Sequence, residues 1–71
     1  MLVMQYRFID YLNADQLIAD DLVEINDEVV RVVDVVSLPE GYAVTIENDY
    51  LEKDIVEIKD TDTFKLFVYD E

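Results

Sequence analysis

The stretch from Leu22 to Val36, LVEI-ND-EVVRVVDVV, constrains the fold of this chain more than any other. Val29, Val30, Val32, Val33, Val35 and Val36 are branched at Cβ, which restricts χ1 and favours extended over helical backbone. Asn26 and Asp27 both tolerate the positive φ that a two-residue primed turn requires. The stretch reads as a β-hairpin whose long second arm lies at the centre of a small sheet. With that turn, Ile25 faces Glu28 and Val23 faces Val30, so Val23, Val30 and Val32 share one face. Glu24, Val29, Arg31 and Val33 share the other, where Glu24 and Arg31 are diagonal neighbours able to pair. Asp34 interrupts the valines and marks a bend or a bulge.

Around this hairpin the chain reads as further strands. Leu2, Met4, Tyr6 and Phe8 alternate with Val3, Gln5, Arg7 and Ile9; with polar Gln5 and Arg7 on the second face, this is the period of a half-buried strand whose first face turns inward. Apolar residues are dense enough that a helix over residues 2–12 also fits; the strand is the preferred reading. Asn13 followed by Gln16 has the spacing of a capping box, which places one or two helical turns near residues 14–18 before Asp20-Asp21. Leu17 and Ile18 are expected to plug one end of the core. Ser37-Leu38-Pro39-Glu40-Gly41 holds the chain's only Pro and only Gly and reads as a loop. Strands are expected over 42–47, around Ile55–Ile58 and over 64–69, separated by polar turns at Asn48–Lys53 and Asp60-Thr61-Asp62.

Five or six strands with one short helical turn give a mostly β fold: a small, strongly bent antiparallel sheet or a partly open barrel. At 71 residues there is room for one domain, taken as residues 1–71. A core of this size contributes only about 3–5 kcal/mol of net stability. The segment Leu17-Ile18-Ala19-Asp20-Asp21-Leu22-Val23, followed by a hairpin and a valine run, resembles the Leu-x-x-Gly-Asp-aliphatic-Val opening of SH3-like barrels. KOW-type modules and the first domain of bacterial elongation factor P are examples, and the similarity spans about Asn13 to Ile46. It implies an SH3-like barrel fold. Asp20 stands where that pattern has Gly, and Ser37–Gly41 holds no Lys to match the modified lysine of the elongation factor. The ribosome and nucleic-acid roles of those families therefore do not carry over.

Composition excludes most chemistries. The chain has no Cys and no His, so it offers no disulfide, no ordinary zinc or haem site, and neither the usual general base nor the best nucleophile. Its only Ser, Ser37, has no base near it in sequence. Carboxylate pairs are inevitable among eighteen acidic residues and so signify little. Asp60-Thr61-Asp62 and Glu47-Asn48-Asp49 are oxygen-rich, but they lack the glycine and terminal glutamate of an EF-hand loop. No catalytic, metal or cofactor site is expected; the chain reads as a non-enzyme.

Charge decides the class of partner. Eighteen acidic against five basic residues give a formal charge of −13, while 52% hydrophobic content is too high for a disordered chain. Phosphate backbones and anionic membranes are bound by Lys and Arg, so both are repelled. No apolar run is long enough to span a bilayer, and no early basic cluster or small-residue cleavage site marks a signal peptide. Absence of Cys fits a reducing compartment, and a cytoplasmic location is expected.

A dense acidic surface steers and complements a basic protein. Tyr6, Tyr11, Tyr42, Tyr50, Phe67 and Tyr69 exceed what so small a core can enclose, and Tyr is favoured at interfaces. Asp10, Asp15, Asp20, Asp21, Tyr11, Tyr50, Phe67 and Tyr69 are the candidate partner surface. The expected function is an acidic protein-interaction module that binds a basic partner or a second copy of itself. The alternative is a nucleic-acid mimic, of a kind known from bacteriophages, that blocks a DNA- or RNA-binding protein.

Overall fold

A computed structural model describes residues 5–70. The strands are β1 (Gln5–Asn13), β2 (Leu22–Ile25), β3 (Glu28–Leu38), β4 (Gly41–Glu47), β5 (Lys53–Lys59) and β6 (Thr63–Asp70), with a single 3-10 turn at Ala14–Gln16. All pair antiparallel in one six-stranded sheet of order β1-β6-β2-β3-β4-β5. β1 and β5 are edges, so the sheet is open rather than closed into a barrel. The bent-sheet form of the expected fold is the one adopted. β1 is extended, which settles the choice at residues 5–12; Leu2, Val3 and Met4 of that expected strand lie outside the described residues.

The central hairpin has the expected register. Asn26 and Asp27 take φ of 54° and 64°, the primed turn that matches strand twist. Val23 faces Val30 and Ile25 faces Glu28. An irregularity between Val32 and Asp34 doubles the chain at Val33, at the position where Asp34 pointed to a bulge.

One face of the sheet curls around the core. Val23, Val32 and Val44 are fully buried, and Leu17, Ile25 and Val30 join them. Leu12, Tyr42, Val56, Ile58, Phe64 and Leu66 pack against this group from the flanking strands. Only four elements thus supply the buried centre, and the 3-10 turn delivers Leu17 to it. The turn is fixed by the Asn13 N–H, which donates to Gln16 Oε1 at 2.9 Å.

Four local expectations are corrected. Ile18 does not plug the core but is 65% exposed, because its N–H is drawn to Asp21 Oδ2 (3.1 Å) as the chain turns away into β2. The Ser37–Gly41 loop contracts to Pro39-Glu40: Leu38 already pairs with Gly41, so Ser37 and Leu38 belong to β3. Glu24 does not hold Arg31; stronger partners flank that guanidinium, as described below. Lastly, the Tyr6–Phe8 face of β1 is its outer face. A bulge between Phe8 and Asp10 shifts the alternation by one, so that Leu12 rather than Tyr6 or Phe8 reaches the core.

Candidate interaction surface

The outer face of β1 and β6 is built of rings. β-Pairing sets Tyr6 opposite Tyr69 and Phe8 opposite Phe67, and the bulge brings Tyr11 back to the same face, opposite Lys65. Cross-strand neighbours lie close enough for aromatic side chains to touch. Tyr6 and Tyr69 are 5.4 Å apart between ring centroids, Phe8 and Phe67 6.0 Å, and Phe8 and Tyr11 5.1 Å. The last two meet edge to face, the arrangement that the ring quadrupole favours. Phe8, Tyr11 and Tyr69 are exposed, Tyr11 to 60%.

Carboxylates border this face. Asp20, Asp21, Ile9, Leu22, Phe67 and Tyr69 line a shallow groove where β2 stops short of the end of β6. Asp20 takes φ of 76°, so the tight turn forms with Asp in the position that SH3-like sequences give to Gly. Its turn is pinned to β3: the Asp20 N–H donates to Val32 O and the Val32 N–H to Asp21 O, both at 2.8 Å. Asp20 Oδ1 and Glu47 Oε1 each accept from Arg31 at 2.8 Å. Both bonds favour the charged guanidinium and raise the Arg31 pKa, Glu47 first and Asp20 second. Arg31 faces Glu47 directly across the β3–β4 pair, which explains why it bypasses Glu24.

A second groove lies at the Tyr6 end, lined by Tyr6, Tyr69, Leu22, Arg31, Asp49 and Leu51. Tyr6 OH donates to Asp49 Oδ1 at 2.5 Å, tying β1 to the β4–β5 loop. Asn48 organises that loop, its Oδ1 accepting from the N–H groups of Tyr50 (2.9 Å) and Glu52 (3.0 Å). At the tip, Leu51 is held at φ 62°, a conformation unfavourable for a branched side chain by about 1–2 kcal/mol. Tyr50 beside it is 81% exposed.

Four of the expected surface residues, Asp20, Asp21, Phe67 and Tyr69, thus meet around one groove, and Tyr11 joins the same aromatic face. Asp10 lies on the edge strand β1, with Oδ1 accepting from the Tyr11 N–H (2.8 Å). Asp15 sits in the 3-10 turn and borders neither groove; Tyr50 stands apart from the stacked rings. Sequence reading missed Phe8 and Asp49, and named Tyr6 only among the surplus rings. Period-two spacing links Tyr6 to Phe8, but nothing local says which face turns outward.

No protein-family model matches the chain, and no curated protein or solved structure matches it either. Carboxylates of the oxygen-rich turns are bonded within the fold: Asp62 Oδ2 accepts from the Lys59 N–H at 2.9 Å, Glu47 holds Arg31, and Asp49 holds Tyr6. No helix among the described residues is long and apolar enough to cross a membrane.

The Tyr6 contact has a pH signature. Its hydroxyl is pushed up to about 12, first by the bond to Asp49, then by burial and by the Asp49 charge. A tyrosine whose pKa rises on folding adds stability below its unfolded value, near 10, and loses it as pH climbs through the folded one. Stability is therefore expected to fall between about pH 10 and 12, with Tyr6 a late-ionising ring, at higher pH than an ordinary tyrosine, in a spectrophotometric titration. Tyr6→Phe should remove that component of the decline. Identical alkaline unfolding of the two proteins would show that the hydrogen bond is not made.

Proposed function

We propose that this chain is a non-enzymatic protein-interaction module that docks a basic protein segment on the outer face of β1 and β6. One observation carries the reading: the exposed rings of Phe8, Tyr11 and Tyr69, with half-buried Phe67 packed edge to face on Phe8, run beside the Asp20–Asp21 carboxylates instead of being enclosed by the fold. Ring faces attract the ammonium and guanidinium groups of Lys and Arg. Carboxylates at the rim complement those groups, and a net charge of −13 draws a cationic partner from a distance. Lys65, opposite Tyr11, is a cation within the face itself, so the acidic end at Asp20–Asp21 is where a basic side chain seats. A cytoplasmic site of action belongs to the same proposal, as suits a chain without Cys.

The test is an NMR titration with deca-lysine at low salt. Backbone shifts should concentrate at Ile9, Asp20, Asp21, Phe67 and Tyr69, and Tyr69→Ser should weaken binding roughly tenfold, as loss of an aromatic anchor does. Shifts spread equally over all acidic positions, including Glu40, Glu57 and Asp60, none of which lines the groove, would reduce the acids to solubilising charge and overturn the docking site.

A further inference from the structure

The two edges of the sheet are unlike. β5, Lys53–Lys59, carries Lys53, Asp54, Glu57 and Lys59 along its length, and charge on an edge strand discourages a further strand from adding. β1, Gln5–Asn13, carries only Arg7 and Asp10. No described strand covers its outer side. An edge of this length with few charges is a template for pairing, and the composition of β1 specifies what pairs with it.

The sequence from Gln5 to Leu12 is complementary to itself when reversed about the bond between Phe8 and Ile9. Antiparallel pairing about that centre sets Arg7 opposite the partner's Asp10, Tyr6 opposite the partner's Tyr11, and Phe8 opposite the partner's Ile9. Two-fold symmetry repeats each contact, giving two opposite-charge pairs and two tyrosine pairs. In a regular strand this scheme fails. Arg7 and Asp10 are three residues apart, and Tyr6 and Tyr11 five, so each couple would point to opposite faces.

The bulge removes the conflict. Arg7 faces Val68 and Asp10 faces Leu66, two residues apart on a regular β6, so Arg7 and Asp10 share a face. Likewise Tyr6 faces Tyr69 and Tyr11 faces Lys65, which puts both tyrosines on the outer face. A bulge ordinarily obstructs edge pairing. Here it lies at the symmetry centre, where the extra residue of each copy, Ile9, meets Phe8 of the other.

We infer that β1 is a homodimerisation edge: two copies join β1 to β1 antiparallel, with Arg7 of each paired to Asp10 of the other. The product is a continuous sheet of both copies, with their outer aromatic rows joined through Tyr6 and the partner's Tyr11. This contact uses the rim of the sheet and needs no basic ligand, so it stands or falls separately from the docking of a cationic segment.

Sedimentation equilibrium of the full chain tests it at about 0.15 M NaCl, where a short Debye length limits repulsion between two acidic copies. A monomer–dimer equilibrium is expected. Arg7→Asp and Asp10→Arg should each weaken the dimer roughly tenfold or more, since each places like charges opposite one another twice. The double swap, Arg7→Asp with Asp10→Arg, should restore it. Asp10→Arg is the discriminating variant, because it lowers the net negative charge and yet should break the dimer. Circular dichroism melts confirm that each variant is folded. A protein that stays monomeric at every concentration, or a dimer indifferent to the single swaps, overturns the assignment.

Discussion

Val30→Asp is expected to unfold the protein at room temperature. Val30 is 3% exposed and faces the fully buried Val23 across the central hairpin. A carboxylate there meets no charged residue within the buried core, and an unpaired buried charge costs several kcal/mol. That is comparable with the whole stability of a domain this small, about 3–5 kcal/mol. The substitution also adds to a chain already at −13. Val36→Asp, on the same strand but at a position 52% exposed, is the control. It should change stability by no more than about 0.5 kcal/mol. Far-ultraviolet circular dichroism reads both. A folded Val30→Asp protein would mean that the hairpin register, or the burial of its inner face, is wrong.

Gly41→Ala should be nearly as damaging, for a different reason. Gly41 is buried at the start of β4, opposite Lys59 of β5. A Cβ added to it would lie 2.0 Å from the Ile58 carbonyl oxygen and 3.0 Å from Lys59 Cα. Both are backbone atoms, so no side-chain rotation relieves the clash and β5 must move away. Its φ is not positive, which makes this a matter of space rather than of backbone preference. Forced strand separation of this kind costs about 2–3 kcal/mol, or a fall in melting temperature of roughly 10–20 °C for a domain of this length. Hydrogen exchange should report the opening first at the β5 amides near Ile58. An unchanged melting temperature would show that β5 sits more loosely on β4 than the register implies.

The parts of this fold that were legible in the sequence are those decided within a few residues. Asn26-Asp27 announces a primed turn because those side chains tolerate positive φ, and the turn then dictates that Val23 meets Val30. Asn13 and Gln16 announce the 3-10 turn in the same local way. Ser37–Gly41 misled because Pro and Gly usually punctuate loops, whereas this Gly is required by the approach of β5, a contact made across the sheet. Glu24 was a plausible partner for Arg31 within one hairpin; the actual partners come from β4 and from the turn before β2. The aromatic face was hardest to foresee. It depends on β6 lying beside β1 and on a bulge that reverses the alternation after Phe8, neither of which leaves a local mark. Phe67, Tyr69 and Tyr11 stood out only as rings too numerous for the core.

The placement of β6 governs the order in which the fold can be assembled. β2 to β5 form a run of hairpins, each joined by a short turn, whose contacts close quickly. β1 has no partner among them. Its entire ladder, from Asn13↔Thr63 to Gln5↔Asp70, is made with β6, the last strand in chain order. On a ribosome β1 emerges before the other five strands and waits unpaired until β6 has followed them, and its rings stay open to solvent and to neighbouring chains throughout. The step that completes the sheet is then the insertion of β6 between β1 and β2, a closure over most of the chain length and the slowest entropic step in its folding. Docking of β6 is thus both the end of folding and the moment at which the aromatic surface comes into being.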